Sequence, residues 1–192
     1  MYFLFSIKKQ NFGITKILKN MEANNQKFTP FYWMTQPYVT EQKHNVKEFV
    51  NPDDIPWTDW LMPGTQFKLL YCDIANGNFT ILMKVDPGTV ASVHWHLGTA
   101  MAYILEGGFY YHEDDKGNTK NCFTCETGGA VHQPFSPEGC LMLGIMMGPI
   151  AGYHEGKLVV VADAQLHYDL AKQNNATKNT TVVGYVKEAE KD

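Results

Sequence analysis

The chain has 192 residues, 44% hydrophobic and 13% aromatic, which is enough to bury the core of one ordinary domain. The net charge is −4 and all 16 basic residues are lysines, so there is no basic field for a phosphate backbone and no guanidinium to clamp a carboxylate or phosphate. With 19% charged residues and no apolar run of membrane-spanning length, the composition excludes a wholly disordered chain, a nucleic-acid binder and a membrane span.

Residues 1–27 read as a loose or wrongly annotated leader. The first 20 carry Lys8, Lys9, Lys16 and Lys19 and no acid, whereas the rest of the chain has 12 lysines against 20 acids, a net −8. The apolar run Met1 to Ile7 precedes the lysines, the reverse of a secretory signal, so a cytoplasmic location is expected. Residues 28–64 are rich in aromatics and prolines (Phe31, Tyr32, Trp33, Pro37, Pro52, Pro56, Trp57, Trp60, Pro63) and are expected to form an arm that covers a sheet edge. Such an arm could also cross to a second copy, so a homodimer or higher homo-oligomer is expected.

From about residue 65 the pattern becomes short β-branched, aromatic or alternating runs. They are Gln66–Cys72, Phe79–Val85, Ala91–His96, Met101–Leu105, Phe109–His112, Cys122–Glu126, Leu141–Met147 and Lys157–Val161. Turns are marked by Asn76-Gly77, Asp86-Pro87-Gly88, Glu106-Gly107-Gly108, Lys116-Gly117-Asn118 and Ser136-Pro137-Glu138-Gly139. This spacing predicts an all-β sandwich or barrel over residues 65–173 and argues against a βαβ fold. A short C-terminal helix is expected over Ala164–Gln173, with Asp163 as N-cap and Leu166 and Leu170 on one face. Residues 174–192 read as a polar tail.

The chemistry lies in the histidines. His94-Trp95-His96 falls in a predicted strand, where alternation puts both imidazoles on one face and Trp95 on the other. His132 follows the turn Thr127-Gly128-Gly129-Ala130-Val131, which can bend sharply enough to deliver a third ring to the same place. Three imidazoles suit Zn, Fe, Ni or Cu and leave open positions, although spacing alone also fits a pair of half-buried strand histidines. His44 and His167 are expected at the surface, His112 facing outward, and His154 in a turn near the barrel mouth. Cys122-Phe-Thr-Cys125 is a single CxxC among strand residues, without the second pair a zinc knuckle needs, and is read as structural.

The order Pro87-Gly88, His94-x-His96, Tyr103-x-x-Glu106-Gly107 and Gly129-x-x-His132 resembles the two-motif signature of the cupin superfamily. Within it, His94-Trp-His96-Leu-Gly98, Ala102-Tyr103, Gly108-Phe109-x-Tyr111-x-Glu113, Gly129-x-x-His132-x-Pro134 and Asp163-Ala164 resemble the cupins typified by 2,4'-dihydroxyacetophenone dioxygenase, with acetylacetone-cleaving dioxygenases as functional relatives. The likeness covers roughly residues 65 to 172. It implies a jelly-roll β-barrel holding one divalent metal on His94, His96 and His132, with Fe(II) favoured over Zn, Ni or Mn.

The Glu that many cupins carry four or five residues past the HxH pair is absent, since Ala100 and Met101 stand there. Glu113 is then a candidate catalytic residue or fourth ligand, and the reading that it belongs to a solvated hairpin with Asp114 and Asp115 stands beside it. Strand parity nominates Met101, Tyr103, Phe109 and Tyr111 as the substrate pocket, with Met83, Met142 and Ile145 as further walls, or all of them as core. The resemblance implies O2-dependent cleavage of a C–C bond in a small neutral hydroxyketone or β-dicarbonyl. The alternatives are a zinc-holding sensor module, as in the cupin domains of anti-sigma factors, and a redox-silent isomerase or lyase.

Overall fold

Alternating apolar residues build most of the architecture. In the computed structural model, which describes residues 49–111 and 117–184, the alternation becomes two facing β-sheets. The larger sheet contains β1 (Thr58–Asp59), β2 (Thr65–Asp73), β3 (Asn78–Val85), β6 (Thr99–Phe109), β7 (Asn118–Thr119), β8 (Phe123–Glu126), β11 (Cys140–Met147) and β14 (Thr181–Val183). Its path runs β1-β2-β3-β11-β6-β7, with β8 also beside β6 and β14 beside β2. The smaller sheet is β13 (Lys157–Ala162), β12 (Ile150–His154), β5 (His94–His96) and β9 (Val131–His132), in that order. A two-stranded ribbon pairs β4 (Thr89–Val90) with β10 (Phe135–Ser136). Strands far apart in sequence thus lie side by side in two facing sheets, the jelly-roll arrangement expected of an all-β cupin.

Inward positions alternate cleanly. Phe79, Ile81, Met83 and Val85 of β3 meet Phe67 and Leu69 of β2 in the core, joined by Ile104, Ile150 and Ala162. The expected turn at Glu106-Gly107-Gly108 is instead the interior of β6, which runs unbroken from Thr99 to Phe109. The glycines serve close packing there. Gly107 has φ +64°, and a Cβ on it would fall 1.9 Å from the Gly139 carbonyl oxygen, beside a register shift in the β6–β11 ladder.

The helix α1 spans Ala164–Gln173, and Asp163 caps it by accepting from the Leu166 N–H at 2.8 Å. Replacing Asp163 by Ala is expected to lower stability by about 1 kcal/mol in chemical denaturation, because a first-turn donor loses its acceptor. The segment expected to be a polar tail is partly structured. Ala176 is buried, Thr180 Oγ1 donates to the Leu69 carbonyl at 2.7 Å, and β14 pairs in parallel with β2. The leader, most of the arm, His44, His112 and Glu113 lie outside the described residues. The described end of the arm adds β1 to the sheet edge, and Lys68 reaches over the Trp57 ring to the Pro52 carbonyl at 2.8 Å.

Candidate metal centre

Strand β5 sits between β12 and β9, so its inward side chains enter the space between the sheets. His94 and His96 are one side-chain period apart, and His94 pairs in register with His132 across to β9. The Gly-rich turn is tied to β5 by its backbone. The His96 N–H donates to the Ala130 carbonyl at 2.9 Å, and the Gly129 N–H, at φ +97°, donates to the His96 carbonyl at 2.8 Å.

The three rings converge through the same atom. His132 Nε2 lies 2.9 Å from His94 Nε2 and 3.0 Å from His96 Nε2, and the three donor atoms lie within 4.8 Å of one another. Two donors at about 2.1 Å from one ion and at right angles to each other are about 3.0 Å apart, so the donor set fits a single divalent metal. Burial holds the His94 imidazole down to about 4, against a hydrogen bond from its Nδ1 to the Ser92 carbonyl at 2.9 Å. Burial also lowers His132, with nearby Glu126 opposing the shift. Both rings are therefore neutral near pH 7 and have lone pairs to offer.

A carboxylate stands at this cluster, and it is Glu126. Its Oε2 lies 2.9 Å from His96 Nε2 and 3.6 Å from His132 Nε2, while the Tyr111 hydroxyl donates to Oε1. The Tyr111 ring in turn stacks on His132 with centroids 4.7 Å apart. Strand parity on β8 turns Phe123 and Cys125 outward and Thr124 and Glu126 inward. That signal was present in the run Cys122–Glu126, but Glu126 lies six residues before His132 rather than just after the HxH pair.

The cluster opens on a cavity of about 100 Å³, large enough for a small organic molecule. Its walls are largely apolar, among them Met83, Met101, Phe109, Met142 and Ile150, and among the described residues Glu126 is the one carboxylate that lines it. Two expected wall residues lie elsewhere. Tyr103 is 40% exposed and pairs with Phe123 on the outer face of the large sheet, and Ile145 is likewise exposed. The reason is the continuous β6 strand, in which Ala100, Ala102 and Ile104 take the inward positions and leave Tyr103 outside. The small alanines make room for the cavity.

His154 ends strand β12 and is exposed. His167, expected at the surface, is fully buried under α1. All four cysteines are free, and Cys125 points outward from β8, so the CxxC pair forms neither a bridge nor part of the histidine cluster.

Solved structures share the fold at low identity. A protein of unknown function with a cupin-like fold from Ralstonia eutropha superposes with a TM-score of 0.65 at 21% identity, covering 80% of this chain and 100% of its own. An RmlC-like cupin from the same organism gives 0.62 at 20% identity, covering 69% and 88%. An acetylacetone dioxygenase from Acinetobacter johnsonii gives 0.53 at 19% identity, covering 78% and 96%. No curated protein matches the sequence. The family model of the ChrR cupin-like domain matches residues 45–151, a span that contains β5, β8 and β9 and with them all three histidines and Glu126. The chain belongs to the ChrR cupin-like domain family, within the cupin superfamily.

Proposed function

We propose that the chain is an Fe(II)-dependent dioxygenase that cleaves a C–C bond in a small neutral β-dicarbonyl or hydroxyketone. The observation that carries this reading is the convergence of three Nε2 atoms on a largely apolar cavity with Glu126, among the described residues, as the carboxylate at its edge. When bound on His94, His96 and His132, a divalent iron would anchor the carbonyl oxygens and supply the O2 chemistry. The fold of the acetylacetone dioxygenase from Acinetobacter johnsonii supports the choice of substrate class.

The protein's own contribution follows from its geometry. Met83, Phe109, Met142 and Ile150 exclude water and offer no charge to an anionic substrate. Glu126 Oε2, held by the Tyr111 bond to Oε1, is placed to take the proton that a dicarbonyl loses on becoming an enolate. Overall, one β-dicarbonyl and one O2 give one carboxylic acid and one α-oxo aldehyde, with both oxygen atoms retained in the products. The Glu126→Gln variant is expected to keep its metal and to lose on the order of 100-fold in kcat. Metal analysis beside steady-state rates checks this.

The test of the proposal is O2 uptake by Fe(II)-loaded protein against a panel of β-dicarbonyls and hydroxyketones. Uptake in a 1:1 ratio with substrate loss supports it, and no uptake with any member refutes it. The second reading, a zinc-holding regulatory module, also fits membership of the ChrR cupin-like domain family and would show tightly held zinc with no turnover. The four unbridged cysteines suit the reducing cytoplasm.

A further inference from the structure

Trp60 follows β1 and borders the cavity around the three histidines. It also borders a second cavity of about 130 Å³, lined by Leu61, Ser92, Tyr153 and Val159 among others. The two cavities share Trp60, His94 and Ile150, so the indole is part of the wall between them. What holds that wall is unusual. Trp60 Nε1–H donates to His167 Nε2 at 3.0 Å, and His167 is a fully buried histidine on α1.

The tautomer of His167 follows from its two contacts. Nε2 must accept from the indole, so Nδ1 carries the proton and donates to the Asp163 carbonyl at 2.7 Å. The ring cannot easily turn away. It stacks on Phe79 with centroids 3.9 Å apart and meets Phe67 edge-on at 5.4 Å. A neutral imidazole with both nitrogens engaged, clamped between core aromatics, is a fixed acceptor for an indole that would otherwise have rotamer freedom.

We propose that Trp60 sets the upper size limit of the ligand that enters the histidine cavity, and that His167 is the positioning residue that keeps the indole in place as the partition. Without the indole the two cavities join, and a longer substituent can run from the cluster into the outer space past Tyr153. The size claim rests on the reading of the histidine cavity as a ligand site; the positioning claim does not.

The experiment uses full-length, Fe(II)-loaded protein under anaerobic conditions and linear β-diketones R–CO–CH2–CO–CH3 with R lengthened from methyl to hexyl. The wild type is expected to bind the short members and to lose affinity beyond a limiting length. Trp60→Ala is expected to gain about fourfold in affinity for each methylene past that limit. Because His167 is packed in the core, Trp60→Phe removes the same N–H···N bond without altering α1, and it should move the limit in the same direction by less. Loss of affinity by the same factor for every chain length is what a merely structural role would give, and it refutes the size claim.

A second readout does not depend on ligand or activity. In protein labelled with 5-fluorotryptophan, the 19F resonance of Trp60, assigned by its absence in Trp60→Phe, should broaden or split in His167→Phe while that of Trp95 stays put. An unchanged Trp60 resonance overturns the positioning role. If no diketone binds to the wild type or the variants, the substrate reading fails and the size claim with it. If diketones bind with an unchanged length preference in Trp60→Ala, the size claim alone fails.

Discussion

Replacing His132 by alanine is expected to strip the protein of stoichiometric divalent metal. His132 Nε2 is the hub of the cluster, at 2.9 Å from His94 and 3.0 Å from His96, so its loss leaves two donors and an open side. Changes to residues that only support a ligand cost 10- to 100-fold in metal affinity as an order of magnitude, and loss of a ligand should cost at least about 100-fold. Metal per chain, measured after dialysis against an equimolar chelator, should fall from near one to near zero. The stabilisation by added metal should fall with it, since an ion that binds only the folded chain raises the Tm. A His132→Ala protein that keeps one tightly held ion would place the metal elsewhere.

The second large effect concerns acid. Burial holds the His167 imidazole down to about 4, against an ordinary value near 6.5. Below pH 6.5 the unfolded chain takes up a proton at this residue and the folded chain does not, so stability is full above pH 6.5 and falls as the pH drops toward 4. The depression amounts to about 3 kcal/mol over that window. Asp163, through its carbonyl contact and its charge, opposes the shift, and the other rings packed on His167 are the uncharged Trp60, Phe67 and Phe79. His94 is depressed in the same direction, so the informative quantity is the difference between wild type and His167→Phe. Urea denaturation at pH 7.5 and 4.5 should show a loss smaller by about 3 kcal/mol in the variant. Equal losses in the two proteins would contradict a buried, neutral His167.

Much of the fold is legible in the chain because strand alternation and glycine turns are local signals. The runs Gln66–Cys72, Phe79–Val85, Leu141–Met147 and Lys157–Val161 fall within β2, β3, β11 and β13, and the helix spans Ala164–Gln173 as read. The HxH pair is legible for the same reason, because parity alone puts His94 and His96 on one face. The pairing of His94 with His132 is less so. It depends on a register between residues 38 positions apart, which the resemblance implied and the alternation does not specify.

The failures are also physical. Bulk invites an inward reading of Tyr103, but the inward positions of β6 belong to Ala100 and Ala102, whose small side chains leave the cavity its space. On α1 the Leu166 and Leu170 pair looks like the buried face. The fully buried positions are Ala164, His167 and Ala171, a stripe at i, i+3 and i+7 whose central polar residue is satisfied by an indole N–H and a carbonyl. A buried histidine with both nitrogens paired gives no sign of itself in a hydropathy pattern. Glu126 has no local signal of this kind, because it stands before the third histidine and only the pairing of β8 with β6, which sets it opposite Ala100, brings it to the cluster.

Anomalous diffraction from crystals of the protein loaded with one equivalent of a divalent metal tests the histidine centre most directly. One peak per chain is predicted, about 2.1 Å from each Nε2 of His94, His96 and His132. A peak bound by other residues, or none at these three atoms after loading, would contradict the account.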